Sequence, residues 1–187
     1  MHMLKRGLLA LTLVAAVGGT TAGLLASQAN AASTRGREVI RGTQYAVGNG
    51  FAVGPWTGHG VIRTSGVVTD IASLPTDPAN SERHTLLDPS GSFTVLTTGG
   101  TNPTPIVNPA NCSFRFTIRH INTTIVSGTG AYANATGHFD ATASVVAVMQ
   151  RLADGSCDMN QNDAPAYTTT YVTAFGYINL HSASMPS

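Results

Sequence analysis

Lysine occurs once in the 187-residue chain, at Lys5, and charged residues make up only 10% of it. Removing the first 31 residues takes Lys5 and Arg6 away and leaves eight arginines against nine acidic residues, a formal charge near −1. That balance excludes a nucleic-acid binder, which needs a basic face, and an electrostatic membrane binder. Water must instead be met by Thr, Ser, Asn and Gly, a composition that suits strands and turns better than helices. No H-x-x-x-H or C-x-x-C spacing occurs, and the five histidines beyond His2 (His59, His84, His120, His138 and His181) are scattered. A zinc site therefore has no pattern to rest on, and neither a metal nor a cofactor is expected. No G-x-S-x-G elbow is present, which argues against a hydrolase of that kind. Gly48 to Gly54 has the wrong spacing for a dinucleotide loop. No fixed-period repeat appears, and no helical stripe follows residue 31.

What is present begins with the N-terminus. Lys5 and Arg6 precede an uncharged apolar stretch from Gly7 to Leu25, and Ala29-Asn30-Ala31 offers an A-x-A cleavage site. This order of charge, apolar run and small residues predicts a signal peptide over 1–31, cleaved before Ala32. A permanent anchor is the competing reading, since the run approaches the roughly 20 residues a span needs. Gly18, Gly19, Thr20, Thr21 and Gly23 dilute it and favour cleavage. A secreted, extracellular protein with no stable membrane anchor is thus expected. Residues 32–55 read as a flexible polar leader, and residues 56–187 as one domain, long enough for a substantial core.

Cys112 and Cys157 are the two cysteines. In an exported chain they are expected to form a disulfide, restricting the unfolded ensemble by about 4 kcal/mol on the chain-entropy model. Three sequons, at Asn111, Asn122 and Asn134, matter only in a chain that traverses an endoplasmic reticulum.

Strand signals dominate the rest. Phe114, Phe116 and Ile118 alternate with Arg115, Thr117 and Arg119. After a Gly-rich connection, Phe139, Ala141, Ala143, Val145 and Ala147 alternate with His138, Asp140, Thr142 and Ser144. Period two on both sides of a turn predicts a long hairpin. Cys112 and Cys157 flank its two arms, so the disulfide would staple its open end. Prolines 103, 105 and 109 exclude a central strand between 99 and 111. Tyr167 to His181 forms a last strand, with Tyr167, Tyr171, Phe175 and Tyr177 on one face and Val172, Ala174, Ile178 and Leu180 on the other. Long antiparallel strands of this kind favour closure into a barrel, which removes exposed edges. The expected fold is all-β: a single closed antiparallel barrel of about eight strands with one disulfide.

The connection Gly128-Thr129-Gly130-Ala131-Tyr132-Ala133-Asn134-Ala135-Thr136-Gly137 resembles the signature of the allene oxide cyclase-like and dirigent-like β-barrels. Those families place a G-T/S-G, aromatic, small, G pattern between two long strands. The resemblance implies an eight-stranded barrel, Tyr132 plugging one end, a lumen for a small apolar molecule, and often a homotrimer. It transfers no active site, because the polar groups of the cyclases find no aligned positions here.

Three functions stay open. The first is a non-enzymatic binder of a small hydrophobic or aromatic ligand, with Tyr132, Tyr171, Phe175, Arg115 and Arg119 as candidate contacts. Arg115 and Arg119 share a strand face, and they meet a carboxylate or phenolate only if that face lines the lumen. A packed barrel prefers the phenylalanines inward. The second is a cyclase or dirigent-type guide of a reactive intermediate, with His59, Arg63, Asp70, His138 and Tyr171 as candidate polar groups. His138 and Asp140 also share a face, either as an acid/base pair or as ordinary outer polarity. The third is an extracellular interaction module with a packed core. Trp56 reads as a loop anchor.

Overall fold

The computed structural model describes residues 34–48, 50–158, 160 and 163–181. The expected signal peptide and the first residues after it lie outside the described residues. Nine strands follow in order: β1 (Thr34–Val47), β2 (Val53–Gly60), β3 (Ser65–Ile71), β4 (Glu82–Asp88), β5 (Gly91–Gly99), β6 (Ile106–Asn108), β7 (Ser113–Gly130), β8 (Thr136–Val148) and β9 (Tyr167–Leu180). Every pairing is antiparallel. β1 to β5 form a meander, β7 to β9 form another, and the β5–β7 and β1–β9 pairings join them into a closed eight-stranded barrel. β6 stands outside that ring and pairs only with Ser113, Phe114 and Arg115 at the start of β7.

Residues 34–55 are not a leader. β1 pairs with β9 over fourteen residue pairs, from Thr34↔Leu180 to Val47↔Tyr167, and with β2 on its other side. Arg35, Arg37 and Arg41 had suggested a loose polar segment, yet Ile40, Gly42, Gln44 and Ala46 alternate with them and face the barrel interior. Small and polar inward residues hid the period-two signal, so the boundary at 56 was too late.

The β7–β8 hairpin forms in the expected register, with Phe116↔Val145 and Ile118↔Ala143. One extra residue on β7 then breaks the ladder before Ile121↔Ala141. His120 sits in this bulge with φ 56°. A bulge of one residue reverses which side chains face inward, so Ile121 and Thr123 line the lumen while His120 is exposed. A second irregularity, opposite Thr94 and Val95, leaves Val126 without a partner residue on β5 and keeps Ile125 inside.

One end of the barrel is plugged. Gly130 adopts φ 56°, and the chain turns back through Tyr132 N–H to Thr129 O (3.0 Å) and Ala135 N–H to Tyr132 O (2.9 Å). A Cβ on Gly128 would overlap the Tyr132 carbonyl, so this glycine lets the connection fold onto the barrel end. Tyr132 is buried and packs edge-to-face on Phe93 (5.2 Å), which meets Trp56 in the same manner (5.7 Å). Trp56, Phe93, Phe139 and Ile178 are almost wholly buried, and burying side chains of this size stabilises by about 1.5–3 kcal/mol each. The Tyr132 hydroxyl donates to Asp88 Oδ2 (2.6 Å), while Asp88 Oδ1 accepts from the N–H groups of Ser90 and Gly91. Asp88 thereby ties the β4–β5 turn to the plug. Glu38, 1% exposed, accepts from Ile62 N–H (2.7 Å) nearby.

The disulfide joins Cys112 and Cys157 across 45 residues with Cα atoms 5.2 Å apart. It staples the start of β7 to the segment after β8, at the end of the barrel opposite Tyr132. Replacing both cysteines with serine is expected to lower the unfolding free energy by about 2–5 kcal/mol, read from urea titrations. An unchanged midpoint would mean that the barrel ladder alone restricts the chain.

Burial, the hydrogen bond to Asp88 and the charges of Asp88 and Glu38 together push the Tyr132 phenol above its ordinary value. The unfolded chain therefore loses this proton first. The plug's contribution is complete below the ordinary tyrosine value of about 10 and is lost as pH rises toward the folded value, at up to about 1.4 kcal/mol per pH unit. Tyr132→Phe is expected to cost about 1–3 kcal/mol near neutrality, by stranding Asp88, and to flatten that alkaline decline. Urea unfolding at neutral and alkaline pH measures both.

Candidate functional site

The barrel has two unlike halves. Around the plug, bulky side chains meet at the axis. Toward the other end, β1, β8 and β9 present Gly42, Ala46, Ala141, Ala143 and Ala174 inward. Small side chains on three adjacent strands cannot reach across a ring of eight, so a space remains. It measures about 460 Å³, within the roughly 300–1,000 Å³ of small-molecule sites. Its wall is mainly apolar, with Trp56, Phe139 and Leu86 toward the plugged half and Phe116, Ile118, Val145 and Val172 around it. The far end is open, and the loop ends carrying Gly50, Ala52, Asn80 and Gly99 form its rim.

Near that rim the wall turns polar. Asp70 on β3 and His84 on β4 are direct cross-strand partners, and their side chains meet at 2.7 Å between Asp70 Oδ1 and His84 Nδ1. Gln44 on β1 is buried and donates its Nε2–H to the same oxygen at 2.7 Å. Ala52 N–H reaches Asp70 Oδ2 at 3.3 Å. A carboxylate can only accept, so Nδ1 carries a proton, and in the neutral ring this leaves the lone pair on Nε2. A carboxylate holding an imidazole in one tautomer is the arrangement used to orient a general base. Thr97 and Glu82 stand around Nε2, with Thr97 Oγ1 at 3.5 Å and Glu82 Oε2 at 3.7 Å.

The loop leading into β4 is held independently. Arg83, one residue before His84, points away from the lumen and grips Asp77 with two 2.6 Å hydrogen bonds. Asp77 also accepts from Leu74 N–H. The Arg83 hydrogen bonds, aided by that N–H, hold the Asp77 carboxyl below its ordinary range. This clamp sets where Asn80 and Glu82 approach the rim.

Of the five polar candidates, only Asp70 lines the cavity. His59 is exposed beside Thr57, and Arg63 is exposed in the β2–β3 turn with its Nε near Gly60 O. His138 is exposed next to Thr124, and Tyr171 points outward, 53% exposed. Of the ligand-contact candidates, Phe175 is 56% exposed on the outer wall, and Arg115 and Arg119 also face out. Tyr132 is in the plug and does not border the cavity. For the candidates on strands the reason is parity: on β9 the small and aliphatic face points inward, so the aromatic ladder is external. Asp140 pairs with His120 at 3.1 Å on the outer wall rather than with His138.

Gln44, Glu82, His84 and Thr97 were not singled out by the sequence. Gln44 lay in the segment read as a leader. Asp70 and His84 are separated by a ten-residue loop, 72–81, whose length gives no register. The alternating pattern of β3 and β4 was the available signal, and it becomes readable only once the two strands are paired.

Nitrogen-15 NMR of the imidazoles is expected to find neutral His84 in the Nδ1–H tautomer. Asp70→Asn should redistribute the proton between the ring nitrogens. A wild-type ring protonated on Nε2 would break the proposed hydrogen-bond order.

No protein-family model, curated protein or solved structure matches this chain.

Proposed function

We propose that this chain is an exported carrier that holds a small apolar or aromatic molecule in the open half of its barrel. The observation that carries the reading is the apolar space of about 460 Å³, closed at one end by the Tyr132 plug and bordered at the other by hydrogen-bonding side chains. A concave apolar wall with a few convergent polar groups is the usual form of a small-molecule site. Such a space weighs against an interaction module with a filled core. Export is supported by the disulfide, which persists in oxidising surroundings, and by the signal-like N-terminus. The Gly128–Gly137 connection, folded here into a plug with Tyr132 buried, supports kinship with the allene oxide cyclase-like and dirigent-like barrels as part of the same proposal.

A second reading, a guide or cyclase acting on the bound molecule, is favoured by one observation. Asp70 orients His84 through Nδ1, and Nε2, with Thr97 Oγ1 at 3.5 Å, stands at the cavity wall, where the neutral ring can accept a proton.

The test is titration with an apolar fluorescent probe, N-phenyl-1-naphthylamine. Saturable binding at one site per barrel is expected. Ala143→Phe places a ring in the cavity and is expected to weaken binding by at least about tenfold, with the circular dichroism of the barrel unchanged, because filling a void strains the wall less than overpacking a full core. Absence of saturable binding to the wild type would end the carrier reading.

A further inference from the structure

The rim has a definite electrostatic character. Among the cavity-lining residues the ionisable side chains are Asp70, Glu82 and His84, with no arginine or lysine. Asp70 is already served by three donors, Gln44 Nε2, His84 Nδ1 and Ala52 N. Glu82 is not: its side chain is 77% exposed, and its nearest cationic or imidazole partner is His84 Nε2 at 3.7 Å.

The hydrogen positions then decide what this corner can bind. His84 Nδ1–H is committed to Asp70, so in the neutral ring Nε2 is the acceptor. The Thr97 hydroxyl has one proton, within reach of the Glu82 backbone carbonyl (3.3 Å) and of Nε2 (3.5 Å); when it is given to the carbonyl, the oxygen presents lone pairs to Nε2. The Glu82 carboxylate can only accept. In that arrangement three acceptors lie together, Nε2, Thr97 Oγ1 at 3.5 Å and Glu82 Oε2 at 3.7 Å. An ammonium group carries three donors and one positive charge, and it completes all three. A carboxylate head would meet acceptors and a negative charge instead.

We propose that the molecule held in the barrel is a primary amine with an aromatic or aliphatic body: the body fills the lumen and the ammonium sits between His84, Thr97 and Glu82. This rests on the carrier reading and narrows it to one ligand class. Asp70 and Gln44 act as positioning residues, because they fix the imidazole so that Nε2 accepts. Fatty acids and other apolar anions are disfavoured, since no arginine or lysine is found among the described residues that line the cavity.

The test compares three probes with one ring system on the disulfide-bonded wild-type protein at mildly alkaline pH, by calorimetry: 2-ethylnaphthalene, 2-(2-naphthyl)ethylamine and 2-naphthylacetate. The amine is expected to bind about tenfold more tightly than the hydrocarbon, the scale of a charge-assisted hydrogen bond at a partly exposed site, and the acetate more weakly than either. Glu82→Gln, an isosteric change at an exposed side chain, should remove most of the amine's advantage over the hydrocarbon when both probes are titrated into the variant. If the hydrocarbon binds and the amine is no tighter, or the acetate is tightest, the amine assignment fails while the carrier reading stands. An amine advantage undiminished in Glu82→Gln also overturns the assignment. If none of the three binds, the carrier reading fails and takes the assignment with it.

Discussion

Closure of the sheet is the constraint on which everything else depends. A meander of strands leaves two edges of unpaired N–H and C=O groups, which invite association with other chains. Here β1 and β9 remove one pair of edges through fourteen residue pairs, and β5 and β7 remove the other. Closure also creates an inside. Eight strands enclose a space that side chains just fill when they are large, so the choice of large or small inward residues determines whether that space is core or cavity.

The chain makes that choice differently along the barrel axis. Near the β7–β8 connection the inward positions carry Trp56, Phe93, Phe139, Ile125 and Ile178, and the connection itself supplies Tyr132. At the opposite end glycine and alanine on β1, β8 and β9 stop short of the axis. The plugged half supplies stability and the open half supplies room. The polar groups of the rim are carried by strands of the same ring, so their spacing is set by backbone ladders and not by loops. That is why Asp70, His84 and Gln44 meet at 2.7 Å although they come from three separate strands. The disulfide and the Arg83–Asp77 clamp secure segments at the open half, where the packed aromatic core is absent.

The long hairpin was readable because Phe114, Phe116 and Ile118, and then Phe139 to Ala147, alternate cleanly enough to announce both strands and their facing. The bulge at His120 was not. One inserted residue leaves composition unchanged but swaps the face of everything after it, and only the partner strand reveals it. The same limit governed the site. Tyr171 and Phe175 are large aromatics in a row, yet the face they occupy is external, and Val172 and Ala174 point into the ring. Gln44 passed unnoticed because an inward glutamine among glycine and alanine breaks the apolar rhythm by which a strand is recognised.

By itself the sequence determined the class and much of the connectivity: period-two alternation, glycine-rich turns and two cysteines at the ends of one hairpin lead to an antiparallel disulfide-linked barrel through local backbone geometry and covalent chemistry. Only the tertiary structure decided which face of each strand is interior, that the first strand lies in the wall, and which polar residues share the rim. Those facts depend on register between strands distant in sequence, as when Asp70 meets His84 across β3 and β4 and Gln44 reaches them from β1. Register is set by the sum of pairings around a closed ring, and no single segment contains that sum.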